Sequence, residues 1–522
     1  YDDAGNRTSV TWPNEAVTTY GYNTLNERVS VTDDLNRTTE TMYDRATRTL
    51  TLKNPREAQT TLRLDTLGRA TWVEDPNGNV TRQTYERGRL VSKQYPTFEQ
   101  TYDYADGSRL KGVTDHYDGK QSSTQLQLNP YGQLNEQVDA KQNPEYREYD
   151  GLGRLTRITD ATGGITRLTY DVHGNLVVVT DPENRSTWFE YNGNGQVVAE
   201  VRRPTPGEVK RRTYEYDDDG NLHIEITPNG EKVVYDYNAS GELEIIMFYP
   251  DQSSSNPEQV TALTYNDLGQ LTSYDDGETS GTYNYDDVGQ LLNATTDYGP
   301  FSKTISYTYD AGGNIKTYTN PEQITYQYAY NANGQIESIE IPSLGLVSFT
   351  DYQWNQPRRI QLPGGSTIER QYDGLQRMAS NRLLDPAQRS LMNVVYGYDA
   401  VGNITGQSTD HGEYSYDYDG LYRLIDADYP DAEDETFSYD GVGNRTSHND
   451  YHSWQYNDAN QLAENNDASY EYDINGNLIQ KIENGRVTQY LYNSQERLAR
   501  VENGSGDVIA KYGYNLFGHR LW

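Results

Sequence analysis

The chain has 522 residues, no cysteine and a formal net charge of −34. Those facts exclude disulfides, thiolate nucleophiles and cysteine-ligated zinc, and so acidic a surface argues against nucleic acid or an anionic membrane as partner. Hydrophobic residues make up only 34%, yet there are 48 tyrosines at regular positions, which predicts a thin, sheet-like body. A disordered chain would be poor in aromatics.

The chain opens at Tyr1 with YDDAGNR, and the pattern Tyr-Asp-x-x-Gly-Asn/Gln/Arg-Leu recurs to its end, most often every 21 residues. Copies begin at Tyr1, Tyr22 and Tyr43, and worn ones follow at Leu64, Tyr85, Tyr104 and Leu128. The motif is then defined by Tyr149, Asp150 and Gly153, by Tyr170, Asp171 and Gly174, and by Tyr216, Asp217 and Gly220. Further on it is carried by Tyr309, Asp310 and Gly313, by Tyr398, Asp399 and Gly402, by Tyr439, Asp440 and Gly443, and by Tyr472, Asp473 and Gly476. Self-similarity at such a period marks a repeat architecture, in which each unit buries its face against its neighbours. One continuous array of about two dozen units is expected over 1–522, without linker or second domain. Both ends fall inside units, so a fragment of a longer polypeptide is expected, with any export signal or effector outside it. No apolar run is long enough for a membrane span.

Within one unit, Thr213 to Val234, Tyr214 and Tyr216 share one face of a strand, and Leu222, Ile224 and Ile226 alternate after a turn at Asp217–Asn221. Pro228-Asn229-Gly230 sends the chain back. Each unit is therefore two strands and two tight turns, and the class is all-β, an array of antiparallel β-hairpin repeats. In the turns, the first Asp or Asn bonds the amide two residues on, and Gly accepts the positive φ. Pro76-Asn77-Gly78 and Ala161-Thr162-Gly163 make similar corners. Roughly fifty strands at about 4.8 Å would extend ~240 Å, so the ribbon is expected to coil. Its tyrosines are expected to stack as ladders between repeats, with hydroxyls reaching water.

Candidate chemical sites are few. His448 and His452 are four apart, but on an extended chain that spacing, about 13 Å, is too wide for one ion. Asp217 to Asn221 looks like the start of a calcium loop, but Pro228 occupies the place of its last ligand. Asp431, Glu433, Asp434 and Glu435 read as a solvated acidic loop. Asn-x-Ser/Thr sequons such as Asn184 and Asn444 arise from the repeat itself. No catalytic, cofactor or metal residue is singled out, since every unit supplies an Asp. Charge is uneven: 27 Lys+Arg against 31 Asp+Glu in residues 1–215, but 17 against 47 in 216–522. That reads either as drift among solvated faces or as an acidic half facing a basic guest or a divalent-rich medium.

The motif and its spacing resemble the YD repeat, also called the Rhs (rearrangement hotspot) repeat, over essentially all 522 residues. Bacterial Rhs polymorphic toxins, B and C components of insecticidal toxin complexes, and teneurins share it. The resemblance implies a ribbon that spirals into a hollow YD shell and, in the bacterial toxins, encloses a cytotoxic C-terminal domain. Such toxins usually carry a paired Asp-Pro-x-Gly self-cleaving element. Here Asp75-Pro76-Asn77-Gly78 stands without a partner copy and reads as a turn. The expected function is a non-catalytic shell, secreted or at a bacterial cell surface. Its cargo would be a toxin or effector domain of the same polypeptide, its further partners secretion-apparatus proteins. The alternative is a teneurin-like adhesion or carbohydrate-binding surface facing cell-surface glycans. Six scattered Trp disfavour a choline- or glucan-binding module.

Overall fold

A computed structural model describes residues 1–105, 108–203, 209–449 and 454–521. Among them no helix forms. One sheet has 41 strands and a second has 7, the break falling between His448 and Gln455. Each strand pairs antiparallel with the strands before and after it, so the chain is one long meander within each sheet, as in Pro144–Tyr149, Leu155–Thr159, Ile165–Tyr170 and Leu176–Thr180.

The two edges of the ribbon differ. At the motif turn, Glu148 faces Arg157 while Tyr149 faces Leu155, so Thr156 is an extra residue and the ladder bulges. The same register shift recurs before Tyr170, Tyr216, Tyr309, Tyr398, Tyr439 and Tyr472. The opposite turn, which we call the return turn, keeps its register, as from Thr159 opposite Ile165. A bulge bends its strand and sharpens the local twist. Repeated along the motif edge and found on the opposite edge at Leu384 and Glu502, it bends the two edges unequally and so supplies the bend that coils the ribbon.

The motif residues hold the turn closed. Asp171 Oδ1 accepts the amides of His173 and Asn175 at 2.9 Å each, and Oδ2 accepts the Asn175 side chain at 2.9 Å. Where the sixth position is Arg, its guanidinium does the same, as from Arg154 Nε to Asp150 Oδ2 at 2.7 Å. It also reaches the next unit, donating to the Asp171 carbonyl and lying over the Tyr170 ring, 4.7 Å from its centroid. Gly174 takes φ 94°, a left-handed conformation that costs glycine little.

The tyrosines correct the sequence reading. Instead of reaching water, the hydroxyls of Tyr149, Tyr170 and Tyr191 donate to the carbonyls of Leu134, Leu155 and Leu176, each at 2.8 Å. Tyr and Leu of the motif are thus donor and acceptor of one clamp between consecutive units, repeated as far as Tyr514 to Leu498. Burial pushes the phenols of Tyr237 and Tyr285 up from their ordinary value, which keeps these donors protonated. The ring ladders that do form involve other tyrosines, Tyr307, Tyr318 and Tyr326, with centroids 5.5 and 5.9 Å apart.

Buried apolar residues are scattered along the ribbon, with a cluster of Val233, Ile246, Leu263 and Tyr274. The accessible surface is 29225 Å², whereas a compact monomer of this mass would expose about 19,000 Å². The body is therefore a wall one sheet thick. Contacts described below bring together residues 244 to 284 apart, which sets one coil. About two strands per repeat at ~4.8 Å give a perimeter of roughly 120 Å and a diameter near 38 Å, so a single sheet leaves an open interior. The protein is a hollow spiral of about two coils.

Candidate functional site

The feature that turns a ribbon into a closed wall is the seam between coils. Return turns of the first coil meet motif turns of the second along its length. Asn77 of the Asp75–Asn79 turn donates its amide to Asn333 Oδ1 and its side chain to Gln335 Oε1, and Asn333 donates to Asp75 at 2.8 Å. Thr97 donates to the Gly374 carbonyl at 2.7 Å, and Gly374 donates to Asp118 at 2.7 Å. Ser122 donates to the Ala400 carbonyl, Gly441 to Glu183, and Asn229 to Asn475 and Asp473. Added Cβ atoms at Gly374 and Gly441 would lie 2.7 and 2.8 Å from Tyr117 and Glu183, so the two edges are in close contact there.

Charge across the seam is complementary. The first coil supplies cations: Arg56 to Asp310 at 3.3 Å, Lys141 to Asp399 at 3.1 Å, and Arg185 to Asp458 at 3.7 Å. Arg212 bridges Glu225 of its own coil and Glu496 of the other, the latter at 3.0 Å. Burial disfavours its charge, yet the bonds to Glu225 and Glu496 outweigh this and raise its pKa. Part of the uneven charge in the sequence is thus internal: the acidic half faces the chain's own first coil.

Non-glycine residues stand at the left-handed position of several second-coil motif turns, at φ 53° for Trp354, 65° for Gln376, 64° for Tyr422, 61° for Asn460 and 58° for Glu496. Such a conformation costs an L-residue roughly 1 kcal/mol or more. Each of these side chains reaches across the seam. Trp354 packs on Tyr95 and Phe98 with centroids 5.6 and 6.5 Å apart, and Gln376 donates to Thr97. Tyr422 donates to Asp139, Asn460 accepts from Arg185, and Glu496 accepts from Arg212. The strain is offset by contacts that glycine could not make.

Burial raises the pKa of Asp399, but hydrogen bonds from Asn403 and Lys141 outweigh it, and its carboxyl is held below the usual value of 3.8. Asp139 behaves alike, burial being outweighed by bonds from Tyr422 and Asn143. A depressed folded-state pKa contributes stability above the unfolded value that is lost as pH falls through the folded one. The seam is therefore expected to stay closed at pH 5 and to loosen only below the ordinary carboxylate range. Amide exchange at Ala400 and Tyr422, followed from pH 6 to 2, would show it.

The motif residues of the sequence reading lie on the two edges. Asp310, Asp399, Asp440 and Asp473 lie in turns at the seam, whereas Asp150, Asp171 and Asp217 lie in turns on the other edge of the first coil. Asp217 caps its turn. Asp75-Pro76-Asn77-Gly78 is a return turn within the seam. His448 stacks on Phe437 and bonds Glu435 at 3.1 Å, while His452 lies outside the described residues. Among the described residues no group of His, Asp and Glu could hold a metal ion, and no helix is long and apolar enough to cross a membrane. The seam cations Arg56, Lys141, Arg185 and Arg212 were not singled out by the sequence. Their signals there are the uneven charge and the replaced motif glycines.

A meandering ribbon with tyrosine-clamped units, wound and sealed on itself, defines the class: a β-shell protein built of YD repeats. The Teneurin YD-shell family model matches residues 250–420 and 347–522, and the RHS repeat model matches 149–186. The chain belongs to the YD-shell family. A 131-residue stretch is 30% identical to double-stranded DNA deaminase toxin A of Burkholderia cenocepacia (strain H111), covering 24% of this chain and 9% of that protein. The fold is similar to TcdB2-TccC3-TEV, with TM-score 0.66 and 14% identity over 98% of this chain and 38% of that one. TcdB2-TccC3 without its hypervariable C-terminal region gives TM-score 0.65 and 13% identity over 98% and 42%. The Tc holotoxin pore of Photorhabdus luminescens gives 0.56 and 15% over 95% and 35%. This chain spans less than half the length of each of these relatives.

Proposed function

We propose that this chain is the wall of a secreted or cell-surface bacterial shell that isolates a toxin or effector domain of the same polypeptide and performs no catalysis itself. The observation that carries the reading is the seam. A ribbon that served only to display its faces would not need to seal coil to coil, whereas a container does. Likeness to Tc toxin shells and to a toxin of Burkholderia cenocepacia supports the same reading. The wall is suited to the task, because a one-sheet, polar-surfaced barrier excludes proteases without offering cargo a deep apolar site to stick in. Co-expression with a C-terminal cargo domain tests it: the cargo is expected to resist protease until the seam is opened by acid or mutation. Cleavage of cargo at the rate seen for the free domain would refute it.

A surface for glycans is the second reading. Its support is the row of Tyr307, Tyr318 and Tyr326, brought into register on adjacent strands. Binding of oligosaccharides that Tyr318→Ala removes would favour it.

A further inference from the structure

Three tyrosines of the second coil stand in a row. Tyr307, Tyr318 and Tyr326 lie on the consecutive strands Ser302–Tyr309, Ile315–Thr319 and Thr325–Tyr330, each directly opposite the next across the ladder. Neighbouring ring centroids are 5.5 and 5.9 Å apart, with the planes tilted by only 32° and 26°. Among the described residues their hydroxyls have no hydrogen-bond partner, whereas Tyr309 and Tyr330 on the same strands donate to the carbonyls of Leu291 and Ile315. Other close pairs differ. Tyr274, beside Tyr283, is 2% exposed and shares a hydrogen bond with Thr279, while Tyr429 lies edge-on to Tyr414 and donates to Glu435. The row opens instead on a cavity of about 340 Å³ lined by Tyr318, Asn320, Pro321, Glu322, Tyr326 and Tyr328, through which a small molecule reaches the rings.

The chain has no cysteine and only four methionines, so the sulfur groups that ordinarily take up oxidising equivalents are scarce and phenols come next. Clamp tyrosines are poorly placed for it. Tyr170 and Tyr398 donate to the carbonyls of Leu155 and Met378 and lie under Arg154 and Arg377, 4.7 and 4.6 Å from the ring centroids, and a positive charge above a ring opposes removal of its electron. We propose that Tyr307, Tyr318 and Tyr326 are a site of oxidative cross-linking, where a small one-electron oxidant joins neighbouring rings as dityrosine. Each of two phenols gives one electron to a molecule of oxidant, which is thereby reduced, and its hydroxyl proton to water. The two radicals join by a bond between carbons ortho to the oxygens, and the hydrogen on each of those carbons moves to its oxygen, restoring both phenols. Tyr318 has two ortho carbons and serves both neighbours, so the product ties three strands together. The turn between the first two of them carries Asp310, which meets Arg56 across the seam at 3.3 Å, so oxidation braces a hairpin that the seam depends on. The inference concerns the rings alone and is independent of any cargo or glycan.

Irradiation of the protein with tris(bipyridyl)ruthenium(II) and persulfate supplies such an oxidant. Dityrosine fluorescence is expected within single chains. Trypsin cuts between Tyr307 and Tyr318 after Lys316, and the two peptides carrying them are expected to stay joined, lighter by two hydrogens than their sum. Tyr318→Phe is expected to remove most of the fluorescence, because both neighbours lose their partner, whereas Tyr170→Phe is expected to leave it unchanged. Circular dichroism confirms that each variant keeps its β-structure. Dityrosine spread evenly over many peptides would overturn the proposal, as would an undiminished yield in Tyr318→Phe. Equally contrary are cross-links formed only between molecules, seen as covalent dimers on denaturing gels.

Discussion

Arg212→Glu is expected to part the coils at one point. Arg212 sits between Glu225 and Glu496, and all three side chains are less than a third exposed. The substitution leaves carboxylates clustered with no cation, and breaking such a partly buried network costs roughly 3 kcal/mol. Because the chain is a linear array, the loss is expected to appear locally rather than as one shifted unfolding transition. Amide exchange around Gln495 and Glu496 is the suitable measurement, with protection falling about a hundredfold. Glu496→Arg added to Arg212→Glu reverses the pair and is expected to restore much of that protection. Failure of the double variant to recover any would show that the site works through packing, not charge.

Asp399→Ala is the second large effect. Asp399 accepts the amides of Val401, Gly402 and Asn403, the Asn403 side chain at 2.9 Å and Lys141 at 3.1 Å. Alanine leaves those donors without their acceptor and Lys141 without its counter-ion, a loss of about 3 kcal/mol. Asp171→Ala removes the corresponding bonds, from the amides of His173 and Asn175 and the Asn175 side chain, at a turn with no lysine behind it, and is expected to cost about half as much. The difference, read from urea-dependent exchange of the two turns, measures the seam. Equal losses would mean that Lys141 adds nothing.

The parts of the fold that repeat were legible in the sequence. Alternation around Tyr216 and Leu222 gives the strands, and Asp217 with Gly220 gives the turn, because each signal acts over a few residues. The clamp from Tyr170 to Leu155 was missed although both residues were in the motif, since nothing local says that a phenol will find a carbonyl one unit back. The seam was least legible. Asp399 and Asp171 look alike as sequence, and only the winding of the ribbon decides that one meets Lys141 and the other meets solvent. Gln376, Tyr422 and Glu496 did carry a trace: each stands where the repeat asks for glycine, and each has a task across the seam.

The winding number has a consequence for how such chains lengthen. Within the sheet every unit recognises only its neighbours, so a duplicated or deleted unit heals without trace in the ladder. Across coils the pairing is between units some dozen apart, and one indel slides every later pair by a notch. Lys141 would then confront the wrong aspartate, and Tyr422 and Trp354 would miss their mates. Gains and losses of single hairpins should therefore be tolerated at the outer ends of the spiral and selected against within the span that the seam locks.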